Sequence, residues 1–291
     1  MTTSGPTIDA LISLLDDQNE LVYQSVKEKL LSLGSEILPR LEDALFSAGS
    51  IDQYKKLELI ISLVKRGIIL DQMKTWLGND NRTLLDGWLL VSSIHHPGIS
   101  KEKIEGSIQK LHRDAWLEIT ESMTSLEKVS VINHILFRIN EFDISAGEVP
   151  NIGNIVLDKL LFSKTGDVYS ITILYLIIAR NLQLDLKPIM LANKLLLVYE
   201  DNLASSIAFG SASDKFLFYI NVAHKGSVIS PKEVQFLYDK SYKYGKTVTR
   251  VETDISMIRK LLNLMYLIYS GEGDQEKLLL TEDILAMMEG M

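Results

Sequence analysis

The chain has 291 residues, 46% of them hydrophobic, and 30 Lys and Arg against 38 Asp and Glu give it a formal net charge of −8. That composition supplies a sizeable core for one large or two modest domains, excludes a disordered chain, and, with no long Lys/Arg run, argues against a nucleic-acid partner. With no cysteine in the chain, disulfides, thiolate-bound zinc, iron–sulfur clusters and thiol nucleophiles are excluded together. The first residues carry no basic segment followed by an apolar one, and the longest purely apolar run, near residues 173–179, is far too short to span a bilayer. A cytoplasmic location without a membrane partner is therefore expected.

From residue 8 to 45 apolar residues recur at helical spacing and predict three short helices. Asp16, Asp17 and Asn19 break the first and cap the second, Gly34 ends the second, and Ser35 opens the third. The string from Leu11 to Leu45, with its LLxLL start, aspartate turn, Val22/Val26 inner face and Leu38-Pro39 restart, resembles a HEAT repeat. An unrelated helical bundle with the same periodicity is the alternative. One repeat cannot bury its face alone, so helices over 54–66 and 69–77 are expected to stack on it as a degenerate second unit.

A second helical block follows. Leu84, Leu85, Trp88, Leu89 and Val91 form an apolar stripe that ends at His95-His96-Pro97-Gly98. Amphipathic helices are then predicted over 101–119 and 125–139. The paired histidines sit at a helix end with no carboxylate or third histidine at ligand spacing, so a surface turn is expected, and no metal site. His112 and His134 lie isolated inside helical patterns and read as structural. Residues 145–153 supply turn formers without periodicity and mark a domain boundary. The chain thus divides into a HEAT-like region over 1–80, a helical lead-in over 81–145, a core over 146–250 and a helical tail over 251–291.

Beyond the boundary the pattern changes kind. Residues 154–162 predict a helix, and 169–182 a long helix apolar on almost every face, hence buried. Strand-like runs follow at 186–191, 195–199, 206–209 and 216–222, with turns at Asp201-Asn202 and Ser213-Asp214. A buried helix followed by an antiparallel meander is an α+β unit, with one sheet face packed on the helix. The fold class is α+β, mainly helical.

Asn154, Val156-Leu157, Gly166, Ser170, Leu174-Tyr175, Ala179-Arg180 and Leu182, then LANKLLLVY, then FYINVAHKGSVISPKEV, resemble three successive blocks of the SirB-type branch of the transglutaminase-like family. The run WLEITESMTSLEKVSVINHILF resembles the helical lead-in of bacterial members. Residues 254–288 resemble a shortened tetratricopeptide hairpin with its turn at Gly271 to Gly273. The resemblance implies a papain/transglutaminase-like core and a Cys–His–Asp triad. Carried over by position, the nucleophile falls on Val168, a place where the branch itself often has proline, the base on Lys194, and the orienting carboxylate on Asn221. Val168 is expected at the N-terminus of the buried helix, with Lys194 and Asn221 on adjacent strands facing it.

None of the three can do its part. Valine is no nucleophile, a solvated lysine is largely protonated at neutral pH, and an amide cannot stabilise a cation by charge. No catalytic residue is therefore assigned from the triad, and no cofactor motif is present. A surviving catalytic arrangement would use Ser170 as nucleophile and Lys194 as base. The competing reading gives Ser170 a local backbone hydrogen bond and Lys194 a solvated place. The expected function is a non-catalytic protein-binding or scaffold module with a protein partner; the alternative is a hydrolase or acyltransferase built on the Ser170/Lys194 dyad.

Overall fold

A computed structural model describes residues 5–17, 19–147, 149–191, 193–200, 216–242 and 250–289. Two compact units result, Met1–Gly78 and Asn79–Met291. The expected strand at 206–209 and the turns at Asp201-Asn202 and Ser213-Asp214 lie outside the described residues. Among the described residues no helix is long and apolar enough to cross a membrane.

In the first unit α1 (Gly5–Ser13), α2 (Glu20–Ser32) and α3 (Leu38–Phe46) pack with α4 (Ile51–Gly78). Asn19 caps α2 by accepting the Leu21 N–H at 3.0 Å, and Gly34 takes φ +66° where the chain leaves α2. Leu15, Leu30, Ile37, Leu41, Leu57 and Ile60 are fully buried in the resulting core, each stabilising it by roughly 1.5–3 kcal/mol relative to exposure. The two helices expected over 54–66 and 69–77 are one continuous helix of 28 residues. Gly67 does not interrupt it. A helical glycine costs only about 1 kcal/mol relative to alanine, and neither proline nor a capping residue follows to redirect the chain.

The second unit begins with α5 (Leu84–His95), α6 (Lys101–Glu118) and α7 (Ser125–Asn133). Thr83, Ser100 and Thr124 cap them by accepting backbone N–H groups of Asp86, Lys103 and Glu127. The helix expected to run regularly to residue 139 widens instead into a π-helix, His134–Ile139. After α8 (Leu157–Ser163) comes α9 (Val168–Asn181), in which every residue from Ser170 to Ala179 is buried. This helix is the axis of the unit, touching α5, α6, α7 and the sheet.

The two-residue strands β1 (Asp143–Ile144) and β2 (Thr165–Gly166) pair in parallel and bring the chain to the start of α9. The main sheet contains β3 (Leu186–Leu191), β4 (Lys194–Glu200), β5 (Phe216–Asn221), β6 (Ser227–Ile229) and β7 (Arg250–Val251) in the order β6-β5-β4-β3-β7. All its pairings are antiparallel. The meander was legible in the sequence; β6 and β7, three and two residues long, were not. Ile189, Leu191, Leu196, Val198 and Tyr219, on one face by strand alternation, form a cluster with Val234 of α10 (Pro231–Tyr242). Finally α11 (Asp254–Glu272) and α12 (Gln275–Met287) form a hairpin, with Gly273 at φ +74° closing α11. Arg180, near the end of α9, holds Asp254 at the start of α11 through two bonds of 2.8 Å. The protein is thus mostly helical with a small antiparallel sheet, an α+β fold.

Candidate functional site

The start of α9 is built by close packing. A side chain on Gly166 would meet Leu160 Cδ1 at 2.5 Å and Ile171 at 2.9 Å, so only glycine lets the chain enter the helix against α8. Asp167 caps α9 by accepting the Tyr169 N–H at 2.8 Å. Burial pushes its carboxyl above the usual range, and the Tyr169 and Val168 amides pull the other way. Val168 is the first residue of α9. Thr172 Oγ1 donates to the Val168 carbonyl at 2.6 Å. Ser170 is fully buried and its hydroxyl has no hydrogen-bond partner.

Lys194 opens β4 opposite Leu191 and is exposed. Asn221 closes β5 opposite Ser227 and is half-buried. Their strands are neighbours. By alternation Lys194 shares the parity of Leu196 and Val198, and Asn221 that of Tyr219, the residues clustered with Val234 of α10. Val168, Ser170, Lys194 and Asn221 share no hydrogen bond with one another among the described residues. The Ser170/Lys194 pair is not assembled, because one group is enclosed in the helix layer and the other stands in solvent. The local backbone bond expected for the Ser170 hydroxyl is not made either.

The polar residues that do meet lie elsewhere. Trp88 Nε1 donates to the Ile155 carbonyl at 2.7 Å, and the Ser92 hydroxyl accepts the Leu157 N–H at 3.0 Å. One turn on, His96 Nδ1 lies 2.8 Å from Asp158 Oδ2, and Lys159 Nζ lies 2.8 Å from His95 Nε2. His95 also stacks on Tyr269, its Nδ1 3.3 Å from the phenol oxygen. The paired histidines are thus a latch between α5, α8 and α11 rather than a free surface turn. Asp158 and Lys159 also line a cleft of about 830 Å³ with Phe162 and Asn151, and Asp158 Oδ1 is left without a partner. The sequence concealed this because His96 and Asp158 are 62 residues apart.

Burial, then Lys159 and Lys277, hold the His95 imidazole below the ordinary histidine value of 6.5, with Glu272 and Asp158 opposing. A neutral ring fits its partners: Nε2 accepts from the Lys159 ammonium and Nδ1–H donates to Tyr269. Since the folded value is lowered, the unfolded chain binds more protons below about pH 6.5. The stability contributed by the neutral ring is complete above that pH and is lost as pH falls toward the folded value. Between pH 7.5 and 5 the urea midpoint should fall more steeply for the native protein than for His95→Gln. Parallel curves contradict the neutral-ring assignment.

Residues 102–265 match the model of a family described as the transglutaminase-like superfamily. The match covers more than half of the 291 residues, and the chain belongs to that superfamily. It extends from α6 through the sheet into α11, beyond the three blocks that carry the sequence resemblance. No curated protein and no solved structure matches the chain.

Proposed function

We propose that this chain is a non-catalytic transglutaminase-like protein of the SirB-type branch, from a bacterial cytoplasm, acting as a protein-binding or scaffold module. The HEAT-like helices of the first 80 residues and the tetratricopeptide-like hairpin after residue 250 are its binding surfaces. That last step rests on fold-level analogy, since helical repeats of these kinds commonly serve as protein docking surfaces. The observation that carries the proposal is Val168 at the first position of α9 in a chain with no cysteine. The helix start, where backbone N–H groups and the helix dipole would activate a thiolate, holds a side chain with nothing to activate. The positions of the base and carboxylate add to this, since Lys194 is exposed and Asn221 bears no charge.

Rebuilding the triad tests the proposal. The variant Val168→Cys/Lys194→His/Asn221→Asp changes one partly buried and two strand-end positions, so it should fold with a stability within about 1 kcal/mol of the native chain. It should gain no transamidase or peptidase turnover, because by strand alternation positions 194 and 221 share the sheet face that carries the α10 cluster, whereas position 168 opens α9. Turnover by the native chain overturns the proposal of a non-catalytic module; turnover in the variant alone overturns only the expectation that the three positions do not converge.

A further inference from the structure

We propose that the cleft between the π-helix and the β5–β6 connection binds a small phosphate monoester. It encloses about 790 Å³ and is lined by His134 and Arg138 on one wall and by His224 and Lys225 on the other, with no carboxylate in the lining. In a chain of net charge −8, a concave site whose charged lining is entirely basic focuses positive potential and draws anions. Arg138 is exposed and has no ion-pair partner among the described residues. Lys225 pairs with Asp143 at 3.1 Å, both side chains being more than half exposed, and such a surface pair yields readily to a competing dianion.

The walls are fixed to the core. Asn133, the last residue of α7, donates from Nδ2 to the Gly226 carbonyl at 2.8 Å and accepts the buried Tyr175 hydroxyl of α9 at 3.0 Å. A Cβ on Gly226, at φ +76°, would overlap the Asn133 amide, so the two walls meet as closely as a glycine allows. The π-helix carries His134 and Arg138 along one wall of the cleft, and single π turns inside helices recur at functional sites. The N–H groups of Lys225 and Gly226 are already committed to the Val222 and Asn221 carbonyls. Side chains therefore supply the anion contacts.

Their number and type select the ligand class. A carboxylate is served by one guanidinium fork, whereas a phosphate dianion has three terminal oxygens to distribute between Arg138 and the donors of the opposite wall. Besides Ser130 and Ser227, Phe137 and Val228 line the cleft and add apolar surface that suits the organic part of an ester rather than a bare ion. This assignment stands independently of the non-catalytic reading, because none of Val168, Ser170, Lys194 and Asn221 lines the cleft.

Calorimetric titration of the full chain at constant ionic strength tests it, with phenyl phosphate, inorganic phosphate and benzoate as probes. Phenyl phosphate should bind saturably and more tightly than either of the others, and Arg138→Gln should weaken it about tenfold or more. Lys225→Gln should weaken it less, and Lys232→Gln, on the exposed surface of α10, should leave it unchanged. No saturable binding of phenyl phosphate overturns the proposal, as does undiminished binding by Arg138→Gln. Equal affinity for benzoate or for inorganic phosphate overturns the monoester assignment.

Discussion

Gly226→Ala should destabilise the second unit by about 2–5 kcal/mol. Gly226 sits at φ +76°, where an L-residue costs roughly 1–2 kcal/mol. The larger loss comes from the contact that the new methyl destroys. Asn133 must move, and with it go the bonds from Tyr175 and to the Gly226 carbonyl, leaving buried polar groups unpaired at about 1–3 kcal/mol. Gly273→Ala is the matched control, because Gly273 has φ +74° but nothing within 4 Å of the added Cβ; only the backbone cost of about 1–2 kcal/mol applies. Urea unfolding of both variants separates the two contributions. Equal losses would mean that the Asn133 latch contributes nothing.

Trp88→Ala should cost about as much, roughly 3–5 kcal/mol, by opening a cavity at a fully buried indole. Here too a hydrogen bond is lost, since Nε1 is the donor to the Ile155 carbonyl at 2.7 Å. Trp88→Phe keeps most of the volume and removes the donor, so it should cost about 1–3 kcal/mol. The order Ala worse than Phe, with both variants destabilised in urea, is the expected outcome. A phenylalanine variant as stable as the native protein would show that solvent or another donor satisfies Ile155.

What the sequence revealed depended on how far each signal reached along the chain. The unbroken apolar run of α9 and the strand-like apolar runs of β3, β4 and β5 are local, and their bounds were legible to within about two residues. Strands of two and three residues such as β7 and β6 are too short to carry a period. The π-helix at His134–Ile139 has no residue signature, because a wider turn is imposed by what packs around it. The sequence predicts separate helices over 54–66 and 69–77, yet α4 runs unbroken through Gly67 between them, because a glycine without a following cap or proline only weakens a helix.

The candidate site divides in the same way. Placing Val168 at a helix start and Lys194 and Asn221 on neighbouring strands followed from the order of blocks along the chain. Whether those side chains converge depends on strand parity and burial, which three scattered residues do not encode. The latch of His95, His96, Asp158 and Lys159 joins segments about sixty residues apart, and the basic cleft joins a helix end to a turn beyond β5. Neither set is contiguous, so no motif could announce it.

We propose that the transglutaminase-like core of this protein does no chemistry. This is tested most directly by assaying the purified, unmodified chain for transglutaminase, amidase and peptidase turnover, alongside Ser170→Ala and Lys194→Met. Rates indistinguishable from buffer are expected for all three proteins, because no thiol exists in the chain and the Ser170 hydroxyl is fully buried while Lys194 is exposed. Turnover by the native protein that disappears in both variants would contradict the proposal and identify a working serine–lysine pair.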